Sequence, residues 1–169
     1  MTTTDPQPDV EAKNSMQAKY FRKALNDLTP NNVGQLKALN EVIFTEKQSD
    51  DFYKDAVKSE EFAKLALFND ICVGGITTTK ETVEGSDKTK VVITTLGVLN
   101  AYRRMGLGAM LLDHIITQSE EAKDKAISEI HVNLQTKDEG VLAFFKGRGF
   151  AAKGSSGALV RLINAPVSA

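Results

Sequence analysis

Apolar positions in this chain change period several times, and each change marks a boundary between predicted elements. Val33, Leu36, Leu39 or Asn40, and Ile43 share one face of a helix. Thr29 is placed to cap that helix, with Pro30 as its first residue, where a missing N–H matters least. A short strand is expected ahead of it, around Tyr20–Leu25. Asp50–Val57 reads as a second short helix anchored by Phe52, Tyr53 and Val57. Phe62–Phe68 and Ile71–Thr79 are separated by Asn69-Asp70 and read as a hairpin. Glu84-Gly85-Ser86-Asp87-Lys88 forms the next turn, and Lys90–Leu99 the next strand.

Helical spacing then returns at Leu107, Leu111 and Ile115, with Met110, Leu112 and Ile116, and runs to about Lys123. Ile127–Leu134 is a further strand. Asp138–Lys146 is a helix stopped near Gly147 or Gly149. Phe150–Lys153 and Ala158–Ile163 form a last hairpin around the turn Gly154–Gly157. The order β-α-α-β-β-β-α-β-α-β-β predicts a mixed α/β fold with a single sheet. The crossover from Val91–Leu99 to Ile127–Leu134 is a βαβ unit and should be right-handed.

Residues 1–18 are polar, contain Pro6 and Pro8 and show no periodicity, so they are expected to be a disordered arm. One domain over 19–163 and a short tail, 164–169, complete the division. The 169 residues suffice for a full core. Hydrophobic residues make up 41% and charged residues 25%, the profile of a soluble globular chain. A net charge of −1 supplies no global field for DNA or an anionic membrane. No apolar run approaches a membrane span, and no apolar leader core is visible. Cys72 is the single cysteine, so no internal disulfide or cysteine metal cluster is available. Its strand setting suggests a buried thiol. These features fit a cytoplasmic protein without a metal.

Candidate chemistry concentrates in Arg103-Arg104-Met105-Gly106-Leu107-Gly108-Ala109, between an apolar strand and a helix. N–H groups at a helix start lack intrahelical partners and face positive dipole potential. Gly106 and Gly108 remove side chains that would hold an anion away. The result is a cradle suited to a pyrophosphate. It lacks the third glycine of a dinucleotide fingerprint and the Gly-Lys-Ser/Thr ending of a Walker loop. A plain glycine-rich turn before a helix would show the same six letters.

Arg103-x-x-Gly106-x-Gly108 between this strand and this helix resembles the acetyl-CoA loop of the GNAT acetyltransferase superfamily. The resemblance extends over about Leu25 to Phe150. Leu28-Thr29-Pro30, Val42-Ile43-Phe44, Asp51-Phe52-Tyr53-Lys54-Asp55, Ala63-Lys64-Leu65-Ala66, Phe68-Asn69-Asp70-Ile71, Thr95-Leu96-Gly97-Val98-Leu99 and Tyr102-Arg103-Arg104 are similar to the NatE branch of N-terminal acetyltransferases. The resemblance implies a sheet splayed between its two central strands, with acetyl-CoA as cosubstrate. It implies cofactor contacts from Leu96, Val98, Arg103, Arg104, Met105, Gly106, Leu107, Gly108, Ala109, Asp138 and Phe145. It also implies a protein N-terminal peptide as acceptor, and the NatA auxiliary and catalytic subunits at the ribosome as partners.

The family's catalytic positions fall on different residue types here. Val92 stands where the family has a tyrosine, Asn133 where it has a histidine, and Phe145 where a tyrosine lies near the sulfur. Val92 cannot bond a water, Asn133 can orient one without changing charge, and Phe145 cannot donate a proton. His131, two residues from Asn133 and so on the same strand face, is either a substitute base or an ordinary strand residue. His114 lies within a helix and needs no function. Asp138 is explained equally as a helix N-cap. Phe44, Thr45, Glu46, Gln48 and Thr94 fall at the family's acceptor positions, which are more polar here. Two functions follow as expectations: an N-terminal acetyltransferase of weak activity, or a catalytically inactive, CoA-liganded subunit of the NatA/NatE complex.

Overall fold

The structure, a computed structural model, describes residues 21–122, 126–134, 138–154 and 157–163. The expected arm 1–18 and tail 164–169 lie outside the described residues, as do Tyr20 and Lys123. So do Ser155 and Ser156 of the last turn.

Strands β1 (Lys23–Asp27), β2 (Lys64–Phe68), β3 (Ile71–Thr82), β4 (Thr89–Val98), β5 (Ile127–Asn133), β6 (Ala151–Lys153) and β7 (Ala158–Leu162) form one sheet ordered β1-β2-β3-β4-β5-β7-β6. Among the described residues only β4 and β5 pair in parallel. Helix α3 (Leu107–Glu121) makes the crossover between them, as the βαβ pattern requires. Helices α1 (Val33–Ile43) and α2 (Asp50–Lys58) precede β2, and α4 (Glu139–Lys146) follows β5. The predicted element order therefore holds. The β2–β3 hairpin turns on Asn69 and Asp70, with φ of 48° and 67°, the left-handed pair a tight two-residue turn requires.

The predicted start of α1 is corrected. Its N-cap is Asn32, and residues 29–32 form a turn ahead of the helix. The Asn32 side chain accepts from the Thr29 N–H at 2.7 Å and donates to the Asp27 carbonyl at 2.8 Å. An amide that both accepts and donates closes this turn better than the Thr29 hydroxyl, so the helix begins three residues after Pro30. β1 also lies two to three residues later than expected, where its backbone pairs with β2.

The sheet separates two cores. Leu111, Leu112 and Ile115 of α3 pack with Val91, Ile93, Ile130 and Val132, and Phe145 of α4 joins them. Leu36, Tyr53 and Ala56 of α1 and α2 pack with Ala63 and Leu65. Gly75 admits this second layer: a Cβ there would lie 2.7 Å from Leu36 Cδ1. Cys72 is only half-buried at the start of β3, short of the buried position expected. Desolvation still raises its thiol pKa, with a backbone hydrogen bond from Gly74 acting the other way.

Candidate active site: a groove between two parting strands

Pairing of β4 with β5 runs from Thr89 to Ile93 and stops there, opposite Val132. The reason lies partly on the other side of β4. Thr77 pairs with Thr95 and Thr78 with Ile93, so Thr94 is an extra residue that bulges from the ladder. The bulge bends β4 away from β5. The Thr77 hydroxyl meets those of Thr94 at 2.7 Å and Thr95 at 2.6 Å, which fixes the bend. Gly97 then lets α1 close on β4, since a Cβ there would lie 2.9 Å from Ile43 Cγ2 and 3.1 Å from Phe44 Cζ.

The parted strands open a groove of about 880 Å³. Ile93, Thr94, Thr95, Val132, Asn133 and Phe145 line its inner end, and Leu96 and Val98 continue one wall. The 103–109 loop closes the outer end through Arg103, Arg104, Gly106, Leu107, Gly108 and Ala109. Arg104 (φ 65°) and Gly106 (φ 83°) are both left-handed, which turns the chain sharply into α3. The first helical bond runs from Met110 N–H to the Gly106 carbonyl at 3.0 Å. The N–H groups of Leu107, Gly108 and Ala109 therefore have no helical acceptor and are available to an anion. Lys23 Nζ donates to the Met105 carbonyl at 2.8 Å and Arg103 Nε to the Val98 carbonyl at 3.0 Å, holding the loop to the sheet.

The expected residues divide between this groove and its surroundings. Asn133, Phe145, Leu96, Val98, Thr94, Phe44 and Asp138 all line it. Asp138 is also the N-cap of α4, accepting from the Gly140 N–H at 2.8 Å. Phe145 is a core residue as well, set edge-on to Phe144 and Phe150. Met105 is exposed and does not line the groove. Thr45, Glu46 and Gln48 sit between α1 and α2, outside the lining. Val92 and His131 are directly opposed in the ladder, one step before the strands part, and neither lines the groove. His131 Nε2 is buried, 3.2 Å from Glu129 Oε1 and without a well-formed hydrogen bond. His114 Nε2 bonds the Glu61 carbonyl at 2.9 Å, a structural role.

Gly97, Tyr102, Phe144 and Arg148 are among the lining residues that were not anticipated. Phe144 lies on α4 and Arg148 in the turn that follows it, so helical spacing did not mark them as one face. Gly97 carried no local signal, because its role depends on α1, distant in sequence. Among the described residues, no group of three His, Cys, Asp or Glu side chains is placed to hold a metal, and no helix is long and apolar enough to cross a membrane.

A seven-stranded sheet splayed at a β-bulge, with a glycine loop at the head of the crossover helix, defines an acyltransferase architecture. The profile of the Acetyltransferase (GNAT) family matches residues 25–150, and the chain belongs to that family. It is 40% identical over 129 residues to N-alpha-acetyltransferase 50 of Danio rerio, covering 76% of this chain and 74% of that one. It is 39% identical over 126 residues to a Drosophila melanogaster protein named probable N-acetyltransferase san, covering 75% of this chain and 66% of that one. Among solved structures it is similar to Arabidopsis thaliana Naa50 in complex with the bisubstrate analogue CoA-Ac-MVNAL. The TM-score is 0.71 and the identity 35%, over 82% of this chain and 95% of that chain.

Proposed function

We propose that the chain binds acetyl-CoA in the β4–β5 groove and is an N-terminal protein acetyltransferase of the NatE type with low turnover. The observation that carries this is the continuity of the groove, from the free N–H groups of the 103–109 loop to the point where β4 leaves β5. The Arabidopsis relative binds an analogue that joins CoA, acetyl and a peptide beginning Met-Val, which supports the same arrangement of ligand and acceptor here. Acetyl-CoA supplies the activated acetyl group. The loop holds its diphosphate, and the unpaired edges of β4 and β5 can hydrogen-bond the amide-bearing arm as an added strand would.

The inner end accounts for the low turnover. Thr94, Thr95, Asn133 and Phe145 offer hydroxyls, an amide and a ring there, but no side chain that changes charge near neutral pH. Positioning alone still favours acyl transfer, and an α-amine of pKa about 8 is partly neutral at pH 7. Loss of a positioned acid or base lowers the rate by roughly 10²–10⁴-fold. A second reading is favoured by the same combination of intact loop and uncharged inner end: a catalytically inactive, acetyl-CoA-liganded subunit of a NatA complex at the ribosome, in the cytoplasm.

Acetyl-CoA turnover with a panel of Met-initiated peptides, run beside a binding titration, separates the two. Slow acetylation of the peptide α-amine supports the enzyme. Tight binding with no turnover supports the subunit. Absence of binding overturns both.

A further inference from the structure

Two cavities meet at the Thr94 bulge. Thr94 and Thr95 line the inner end of the groove, and Thr94 also lines a second cavity of about 220 Å³ between α2 and β3. Thr77 borders that second cavity too, and its hydroxyl lies between the other two, 2.6 Å from that of Thr95 and 2.7 Å from that of Thr94. In a regular strand Thr94 and Thr95 would point to opposite faces. The bulge sets two residues of β4 against one of β3, and so brings both hydroxyls to Thr77. Thr77 and Thr95 are buried, whereas Thr94 is exposed. A hydroxyl donates and accepts at once, so a row of them passes a proton without any member changing charge. Asp55, Ser59 and Lys80 make the second cavity polar, and it is roomy enough for water.

We propose that Thr95, Thr77 and Thr94 relay the proton lost by the acceptor amine from the groove into the second cavity, a step that rests on the acetyltransferase reading. The neutral amine nitrogen attacks the thioester carbonyl carbon. A C–N bond forms, the C–S bond breaks, and CoA leaves as a thiolate that takes a proton from solvent. The nitrogen gives its proton to the Thr95 oxygen. Thr95 passes its own proton to Thr77, Thr77 to Thr94, and Thr94 to water in the second cavity. Each hydroxyl ends with one proton, as it began. Bonded to the carbonyl carbon, the nitrogen is cationic and far more acidic than the free amine, so the row needs no base that titrates near neutral pH. Thr77 and Thr94 act through Thr95 and are positioning residues.

The test is steady-state acetylation of a peptide beginning Met-Val by the full chain, in mixtures of H2O and D2O, beside a titration with acetyl-CoA. Thr77→Val nearly keeps the side-chain shape and removes the hydroxyl. It should lower kcat by roughly 10²-fold, the usual worth of a placed proton-transfer group, and leave the peptide KM and the acetyl-CoA affinity unchanged. Thr77→Ser should keep most of the rate. Thr94→Val and Thr94→Ser repeat the comparison at an exposed position, where folding is not at stake. In the wild-type chain kcat should fall along a curve as the deuterium fraction rises, the mark of several protons moving together, and in Thr77→Val along a straight line. Unchanged kcat in both valine variants, equal losses in the valine and serine variants, or a straight line for the wild-type chain would each overturn the relay and leave the acetyltransferase reading standing. Binding of acetyl-CoA by the wild-type chain without any turnover would overturn that reading, and the relay with it.

Discussion

Gly106 and Gly108 stand two residues apart and are glycine for different reasons. At Gly106 the constraint is conformational, because φ is 83°. At Gly108 it is spatial, since a Cβ meets Phe144 only at ordinary contact distance and anything longer enters the groove. Gly106→Ala should therefore destabilise the fold by about 1–2 kcal/mol, the penalty of a left-handed non-glycine residue, visible as a lower denaturation midpoint. Gly108→Ala should leave stability nearly unchanged, whereas Gly108→Glu should abolish acetyl-CoA binding in a titration. Unchanged affinity in Gly108→Glu would mean that the diphosphate lies elsewhere. The inner end is tested in the opposite sense, by adding chemistry. If proton transfer alone limits the rate, Val92→Tyr with Asn133→His should raise peptide acetylation about tenfold or more. Vigorous turnover by the unmodified chain would sink the idea of lost acid–base groups.

At the scale of elements, most of the architecture was legible in the sequence, because period and turn chemistry are local. The Asn69-Asp70 hairpin and the helix beginning at Leu107 needed nothing beyond neighbouring residues. What was not legible depended on contacts between distant segments. Asn32 displaced Thr29 as the start of α1 because its amide also reaches the Asp27 carbonyl. The Thr94 bulge is invisible in a run of β-branched residues, yet it parts β4 from β5. Likewise the charged cluster at the foot of β2 joins three elements. Lys64 is buried and pairs with Asp27 and with Glu61 Oε2 at 3.0 Å, while His114 of α3 lies 3.4 Å from the same carboxylate. Burial works to lower the Lys64 pKa, but the hydrogen bonds and charges of Asp27 and Glu61 outweigh it and raise the value. The Lys64 hydrogen bond and charge lower that of Asp27. A raised lysine contributes stability below its ordinary 10.5 and loses it as pH rises through the folded value. A lowered aspartate contributes above its ordinary 3.8 and loses it as pH falls through the folded value. Stability should thus decline at both extremes. Lys64→Met should flatten both limbs in denaturation curves recorded across pH, and limbs unchanged in the variant would assign the decline to other groups.

Across the whole molecule the sheet is two parts held by a short seam. The strands β1 to β4 form one part and β5, β7 and β6 the other, joined by the parallel pairing of residues 89–93 and by α3, which packs on both. Among the described residues no β4–β5 pairing continues past Ile93, and the groove walls come from both sides: Leu96 and Val98 from β4, Asn133 from β5, and Val141, Phe144 and Phe145 from α4. A ligand seated there replaces the missing ladder, so it should stabilise the seam and not merely order the loop. Linkage gives the size: a ligand at one hundred times its dissociation constant adds about 2.7 kcal/mol. For a domain of this length each kcal/mol raises the melting temperature by roughly 2–4 °C, so saturating acetyl-CoA should raise it by about 5–10 °C. Hydrogen exchange should locate the gain. Amides of residues 94–98 in β4 and of α4 should slow together with those of the 103–109 loop, because all three border the same ligand. Protection confined to the loop would show that only the nucleotide end is held and that the acyl end stays outside the splay. No thermal shift at all would remove the groove as the binding site.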